Sequence, residues 1–262
     1  MLLKDKIVMV SGIGPGMGIK LALEAAREGA RAVAICARSE ARLVEAEQRI
    51  RAFAPGCEVL RMPTDITEPA ACAKFARATA ERFGRIDALI NSAFSHGGFQ
   101  AVEEGDNDPL REALEVNLIG SLNMSRAVLP QMKEQGAGAI VMVSTLGVRK
   151  PYLGGAAYCA SKSALAATVR YLATEQAVHG IRVNAVACGW MWGEPVQAVV
   201  RQTADARGVS EEQVRAEFSA GIPGGRMPGD EECARAALFL ASDYASAVNG
   251  AQLDANGGEI MY

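Results

Sequence analysis

Short runs of consecutive apolar residues alternate along this chain with longer segments in which apolar positions recur every three or four residues. The runs are "KIVMV", "AVAIC", "CEVLRM", "DALIN", "AIVMVS", "IRVNAVA" and "AQLDA". Each has strand length and lacks strict apolar/polar alternation, so each reads as a strand covered on both faces. Between them, Ser39 to Phe53 puts Leu43, Ala46, Ile50 and Phe53 on one helical face, with Ser39 as a candidate cap. "DEECARAALFLAS" begins acidic and turns apolar, the order expected at a helix start. The alternation predicts a doubly wound α/β domain with a mainly parallel seven-stranded sheet and helices on both faces. No linker divides 1–262, which reads as a single domain. Only Gly189 to Gly225 departs from the alternation, and we expect an insertion there.

Composition agrees with this picture and narrows the partner. With 262 residues, 50% of them hydrophobic and 22% charged, the chain can bury a large core without disulfides or metal. A formal charge of -3, with both signs interspersed, offers no electrostatic footprint for nucleic acid or an anionic membrane. A small-molecule partner is expected instead. The start, "MLLKDKIVMV", is too short and too charged for a signal peptide, and no apolar run approaches the ~20 residues of a spanning helix. These features predict a cytoplasmic protein. Six scattered cysteines without C-x-x-C spacing, and only two histidines, leave no expected metal site. His96 reads as a loop residue and His179 as a helix-end charge before Gly180.

Two stretches carry candidate chemistry. Behind the first strand, "SGIGPGMG" at Ser11–Gly18 holds four glycines in eight residues. It fails G-x-G-x-x-G, since Met17 and Ile19 stand where the third glycine would be, but fits [ST]-G-x-x-x-G-x-G through Ser11, Gly12, Gly16 and Gly18. Such a turn can be a packing device alone. It also lets backbone N–H groups and a helix N-terminus approach a pyrophosphate. The second stretch is "YCASK", Tyr158–Lys162, in a segment of helical pattern. Residues four apart share a helix face, so phenol and ammonium lie side by side. A fixed cation favours the phenolate and is expected to lower the phenol's pKa from its ordinary value near ~10.

With these two stretches in this order and spacing, the sequence resembles the short-chain dehydrogenase/reductases over essentially its whole length. Further matches are Asp65 and Ile66 after the third strand, "NSA" at Asn91–Ala93 after the fourth, Asn117 in "EVNLIG", and "IRVNAVACG" followed by "LDANGG". The resemblance implies a Rossmann-like fold and an NAD(P)-dependent enzyme interconverting a secondary alcohol and a ketone. It implies that Tyr158 is the general acid or base, that Lys162 lowers its pKa and holds the nicotinamide ribose, and that Asn117 disturbs its helix and holds a relay water. Ser11, Gly12, Gly16, Met17, Gly18, Asp65, Ile66, Asn91 and Ala93 fall on the cofactor. The resemblance also implies a homo-oligomer, tetramer or dimer. Enoyl reductases of the family place the tyrosine and lysine farther apart, which favours the carbonyl/alcohol reaction.

The substrate-orienting hydroxyl is open between two residues. Spacing of 13 residues before the tyrosine selects Thr145, as does the strand pattern "IVMVST"; alignment on Gly147 selects Ser144. After the sixth strand, Cys188, Gly189, Trp190, Met191, Trp192 and Gly193 replace the family's P-G and its threonine contact to the carboxamide. Met191 is then the candidate cofactor contact in that stretch. Phe94 stands where a glycine is usual. Treating 189–225 as a lid, its two tryptophans and Phe218 predict a hydrophobic substrate, although tryptophans packed into core or a subunit contact give the same pattern. At the end of the second strand Ala37 occupies the usual acidic place and Arg38 follows, which predicts NADP(H) in preference to NAD(H). Pro15, where many NADP-preferring relatives have a second basic residue, limits that preference.

Other classes stay in view. A methyltransferase is also doubly wound but needs neither Tyr158 nor Lys162. A nucleotide-binding regulatory or scaffold protein, or an NAD(H)-dependent dehydrogenase of the same family, would share the fold.

Overall fold

The computed structural model describes residues 1–104 and 106–261. Its strands are β1 (Ile7–Ser11), β2 (Ala32–Ala37), β3 (Glu58–Pro63), β4 (Ala88–Asn91), β5 (Gly138–Thr145), β6 (Ile181–Cys188) and β7 (Gln252–Ala255). They form one sheet in the order β3-β2-β1-β4-β5-β6-β7, and every neighbouring pair is parallel. Each of the seven apolar runs is therefore a strand. The helices are α1 (Met17–Arg27), α2 (Glu40–Phe53), α3 (Pro69–Phe83), α4 (Asp108–Leu114), α5 (Ser121–Gln135), α6 (Ala156–Gln176), α7 (Glu194–Arg207), α8 (Glu211–Ser219) and α9 (Asp230–Ala241).

The strand pleat explains why the runs are apolar throughout. Val8, Val10, Val33 and Ile35 face α1, α2 and α9, packing with Leu21, Leu43 and Leu238. Their neighbours Met9, Ala34 and Cys36 face the opposite way, into a second core with Phe75, Met124 and Leu165 of α3, α5 and α6. Both faces of every central strand are dry, and alternation has nothing polar to alternate with.

Ser39 caps α2 as its position predicts, accepting from the Arg42 backbone N–H at 3.4 Å. Leu43, Ala46 and Ile50 are buried, but Phe53 is not. It is the last residue of α2 and lies at the surface, with the Arg27 guanidinium 5.6 Å above its ring. The irregular stretch after β6 holds α7 and α8, which pack on each other through Val200, Ala204 and Val214. A Ser210/Gln213 capping box starts α8. Among the described residues no helix is long and apolar enough to cross a membrane.

The chain order of the strands reverses between β1 and β4, and two glycines make that junction possible. Gly12 has φ 88°, and a Cβ there would drive into the Ala93 backbone. A Cβ on Gly18 would meet the Gly12 carbonyl. Gly12→Ala should cost about 1–3 kcal/mol through backbone strain and the lost close approach. Gly56→Ala, where a Cβ meets nothing within 4 Å, should leave stability within ~0.5 kcal/mol. Urea denaturation of both variants checks the contrast; equal midpoints would show that the junction tolerates a side chain.

Candidate active site

The carboxyl ends of β1, β2, β4, β5 and β6 open into one cleft of about 1620 Å³. Ligands of open α/β sheets bind at this edge, where the strand order reverses. Its two halves are built differently, one from bare backbone and one from titratable side chains.

The bare half is the turn between β1 and α1. Packing explains Gly12 and Gly18, as shown above, and presses on Gly16, but does not explain Gly14. A Cβ on Gly14 would come no nearer than 3.9 Å to Arg42, and one on Gly16 would lie 3.3 Å from Pro195 and 3.8 Å from Asp230. Both glycines line the cleft, so the turn presents backbone to open space. Met17, Asp65, Ile66, Ala93 and Met191 also line it. Ser11 and Asn91 do not. They are 0% and 1% exposed, and Ser11 Oγ donates to Asn91 Oδ1 at 3.2 Å, tying β1 to β4 beneath the turn. Asp65 accepts from the Thr67 hydroxyl at 2.7 Å and backbone at 2.9 Å, bonds that hold its carboxyl below the ordinary value, with Arg38 adding to the effect.

The titratable half is carried by β5 and the first turns of α6. Lys162 is 2% exposed and donates from Nζ to the Val143 carbonyl at 2.8 Å, while its ammonium stands 5.9 Å from the centroid of the Tyr158 ring. The pair shares a helix face as predicted, but the expected fall in phenol pKa does not follow. Burial pushes the Tyr158 phenol up, and Tyr152, Cys188 and Cys159 add to this; the Thr145 hydroxyl, hydrogen-bonded to it, opposes them. Burial also pulls the Lys162 ammonium down, to about 8. Desolvation dominates both shifts, and the Lys162 ammonium is bonded to a backbone carbonyl.

The two candidate hydroxyls point to different places. Thr145 Oγ1 accepts from the Gly147 backbone N–H at 3.1 Å and keeps its own proton for the phenol side. Ser144 Oγ is buried and has no hydrogen-bond partner.

Asn117 lies in a π-helical stretch, Glu115–Gly120, between α4 and α5. Its buried amide donates from Nδ2 to Ser95 O and Ser161 Oγ, and accepts at Oδ1 from Ser95 N, each at 2.8 Å. The bonds reach across the fold rather than back along its own helix. They clamp the loop after β4 to α6, three residues from Tyr158.

A family model described as "Enoyl-(Acyl carrier protein) reductase" matches residues 12–259. An L-fucose dehydrogenase of Oryctolagus cuniculus is 33% identical over 253 residues, covering 97% of this chain and 84% of the relative. The chain belongs to the short-chain dehydrogenase/reductase family. Among solved structures of that family, a variant actinorhodin polyketide ketoreductase with NADPH superposes with a TM-score of 0.89 at 30% identity, covering 98% of each chain. An NAD+-bound xylitol dehydrogenase does so with a TM-score of 0.89 at 28% identity, covering 98% of this chain and 100% of the other. This short-chain dehydrogenase/reductase is thus an oxidoreductase of NAD(P)-dependent type.

Three features of this family member escape its sequence. His96, read as a plain loop residue, stacks on Tyr158 with ring centroids 5.1 Å apart and bonds through Nε2 to Tyr152 Oη at 3.0 Å. Two left-handed glycines, Gly97 (φ 70°) and Gly98 (φ 89°), turn the loop so that this is possible; "HGG" was the only signal. Arg42 lines the cleft beside Arg38, a second basic group from the first turn of α2 rather than from the glycine turn. The tryptophans divide: Trp190 lines the cleft against Phe218, 5.0 Å between centroids, whereas Trp192 packs into the α7–α8 core beneath Arg215.

Asn117→Ala would strip all three bonds of the clamp and leave buried Ser161 and the Ser95 peptide without that partner. We expect a loss of about 1–3 kcal/mol and faster amide exchange confined to the loop carrying Phe94 and His96. Hydrogen exchange read by mass spectrometry checks this, and an unchanged exchange pattern would deny the clamp.

Proposed function

We propose that this enzyme interconverts a secondary alcohol and a ketone, with NADP(H) favoured over NAD(H) and an apolar substrate. The observation that carries the reading is that Thr145, Tyr158 and Lys162 line one cleft together with the open glycine turn, Lys162 being buried. The nicotinamide cofactor supplies or accepts the hydride when bound. Tyr158 Oη gives its proton to the carbonyl oxygen in reduction and takes the hydroxyl proton in oxidation. Thr145 Oγ1–H, fixed by Gly147 N–H, orients that same oxygen. Ser144 would fill this role only if its unpartnered hydroxyl turned toward the phenol. Lys162, which lines the cleft, would hold a ribose hydroxyl of the cofactor, and Asn117 fixes the loop and helix around it. The four-residue Tyr158–Lys162 spacing argues for carbonyl rather than enoyl reduction.

The cofactor reading rests on fit. Gly14 and Gly16 leave backbone open to a pyrophosphate, and Ala37 offers no acid to a ribose 2′-hydroxyl. Glu40, the acid nearest Arg38 in sequence, is taken by Arg61. Among the described residues neither Arg38 nor Arg42 forms an ion pair, so two guanidiniums stand ready for a 2′-phosphate. For the substrate, Trp190, Phe218, Phe94 and Val199 wall the mouth with apolar surface. Exposed Tyr171 of α6 and Val178 in the turn that follows it support the expected homo-oligomer by offering apolar area to a second copy.

Tyr158→Phe should abolish turnover of secondary alcohols and ketones while leaving cofactor affinity within about threefold. Thr145→Ala should cost on the order of a hundredfold in kcat, far more than Ser144→Ala; the reverse ranking would move the role to Ser144. Steady-state kinetics with both cofactors should give roughly tenfold to a hundredfold preference for NADP(H), largely lost in Arg38→Ala. Equal or better use of NAD(H) by the wild type would overturn the cofactor assignment. Trp190→Ala should raise KM for bulky apolar ketones more than for small ones, and a uniform rise would deny it a substrate contact.

A further inference from the structure

Asp230 is the first residue of α9, and it is 2% exposed. Its Oδ2 is buried and has no hydrogen-bond partner. The helix start does not need it, because Glu232 caps the Gly229 N–H at 2.8 Å. Yet Asp230 lines the cleft, and its carboxyl fills the space that a Cβ on Gly193 would require. Gly193 ends the stretch after β6 in which the expected threonine contact to the cofactor is missing. The same oxygen lies 3.8 Å from where a Cβ on Gly16 would stand, beside the open glycine turn. An unpartnered carboxyl therefore sits where position 193 would otherwise send a side chain, facing the backbone read above as the pyrophosphate site.

We propose that Asp230 is a cofactor-binding residue that carries a proton in the bound state and donates it from Oδ2 in a hydrogen bond to the dinucleotide's pyrophosphate. The inference rests on the nicotinamide-dinucleotide reading of this cleft. A pyrophosphate offers acceptors only, and a carboxylate beside it would add repulsion between like charges in a dry site. Protonation removes the repulsion and supplies a side-chain donor beside the glycine turn. The groups around Asp230 allow this. Burial raises its acid to about 6 and Glu231 of α9 adds to the rise, while Lys20 of α1 opposes it. Lys20 is itself ion-paired to Glu231. At the end of β6, Cys188 is a buried thiol whose own acidity is further suppressed by the Asp230 charge. Above pH 6, binding would then take up one proton from solvent onto Asp230.

The test is the dissociation constant of NADH, read from the reduced nicotinamide's fluorescence between pH 5.5 and 8.5. NADH is chosen because a 2′-phosphate would titrate in the same range, its second pKa being about 6. For the wild type we expect little change below pH 6 and roughly a tenfold to fiftyfold weakening from pH 6 to pH 8. In Asp230→Asn, which keeps shape and a neutral donor, the profile should flatten to within about twofold of the wild-type value at pH 6. Asp230→Ala should be flat and roughly tenfold weaker. Calorimetry at pH 7 in two buffers of different ionisation enthalpy should record close to one proton taken up by the wild type and none by Asp230→Asn. A wild-type profile that is flat, or that tightens with rising pH, overturns the proposal, as does an Asn variant that keeps the wild-type slope. A purely structural Asp230 would lower the melting temperature of both variants without moving the pH profile. Failure of the wild type to bind either NADH or NADPH at any pH would overturn the dinucleotide reading itself, and this inference with it.

Discussion

The contact on which the site depends is between two backbones. Gly12, in a left-handed conformation, lies against Ala93 so closely that no side chain fits between them, and Gly18 lies in the same way against Gly12. This lets β1 and β4 run side by side to their carboxyl ends, with the buried Ser11–Asn91 bond closing the seam. Because the chain leaves β1 toward one face and β4 toward the other, the two exits part above that seam and leave a crevice. Tyr158, Lys162, Thr145 and Asp230 all line it. Ser11 and Asn91 are then the floor of the crevice, since Ser11 Oγ donates to Asn91 Oδ1 and Asn91 Nδ2 donates to Ser125 Oγ, and none of these atoms faces the opening.

Most of the fold is legible in sequence because a doubly covered parallel sheet leaves an unambiguous signature. A run such as "KIVMV" can be apolar throughout only if both of its faces are dry, and the two separate cores show that both are. The Tyr158–Lys162 pair is legible for a similar reason, since helix geometry alone puts residues four apart on one face. What is illegible depends on non-local partners. His96 reaches Tyr158 because two glycines reverse its loop, and Arg42 reaches the cleft because Ser39 fixes the start of α2. Neither can be inferred from spacing. Trp190 and Trp192 are two residues apart and equally apolar, yet one faces the cleft and the other the α7–α8 core, a division set by the bridge between Trp192 and Gly229.

The electrostatics of the site invert a simple reading of neighbouring charges. An ammonium one helical turn from a phenol should make it acidic, but here both groups are desolvated and each moves toward its neutral form. Desolvation acts on each group alone and at full strength, whereas attraction falls with distance and is shared with the Val143 carbonyl. The Thr145 hydroxyl is the contact that works the other way, which gives it a role beyond orienting an oxygen: it is the local donor that favours charge on Tyr158.

The cleft is not uniformly apolar, and this bears on what enters it. Beyond the aromatic wall, Lys150 and Glu259 form an ion pair of 2.8 Å at the rim, and the second Glu259 oxygen is buried without a partner beside Gly189. That oxygen is a polar spot in a wall lined elsewhere by apolar side chains, and a hydrogen-bond donor on a bound molecule would be the group to pair it. In the proposed reaction Tyr158 and Thr145 need only the reacting oxygen, which leaves the walls beyond them free to set the substrate.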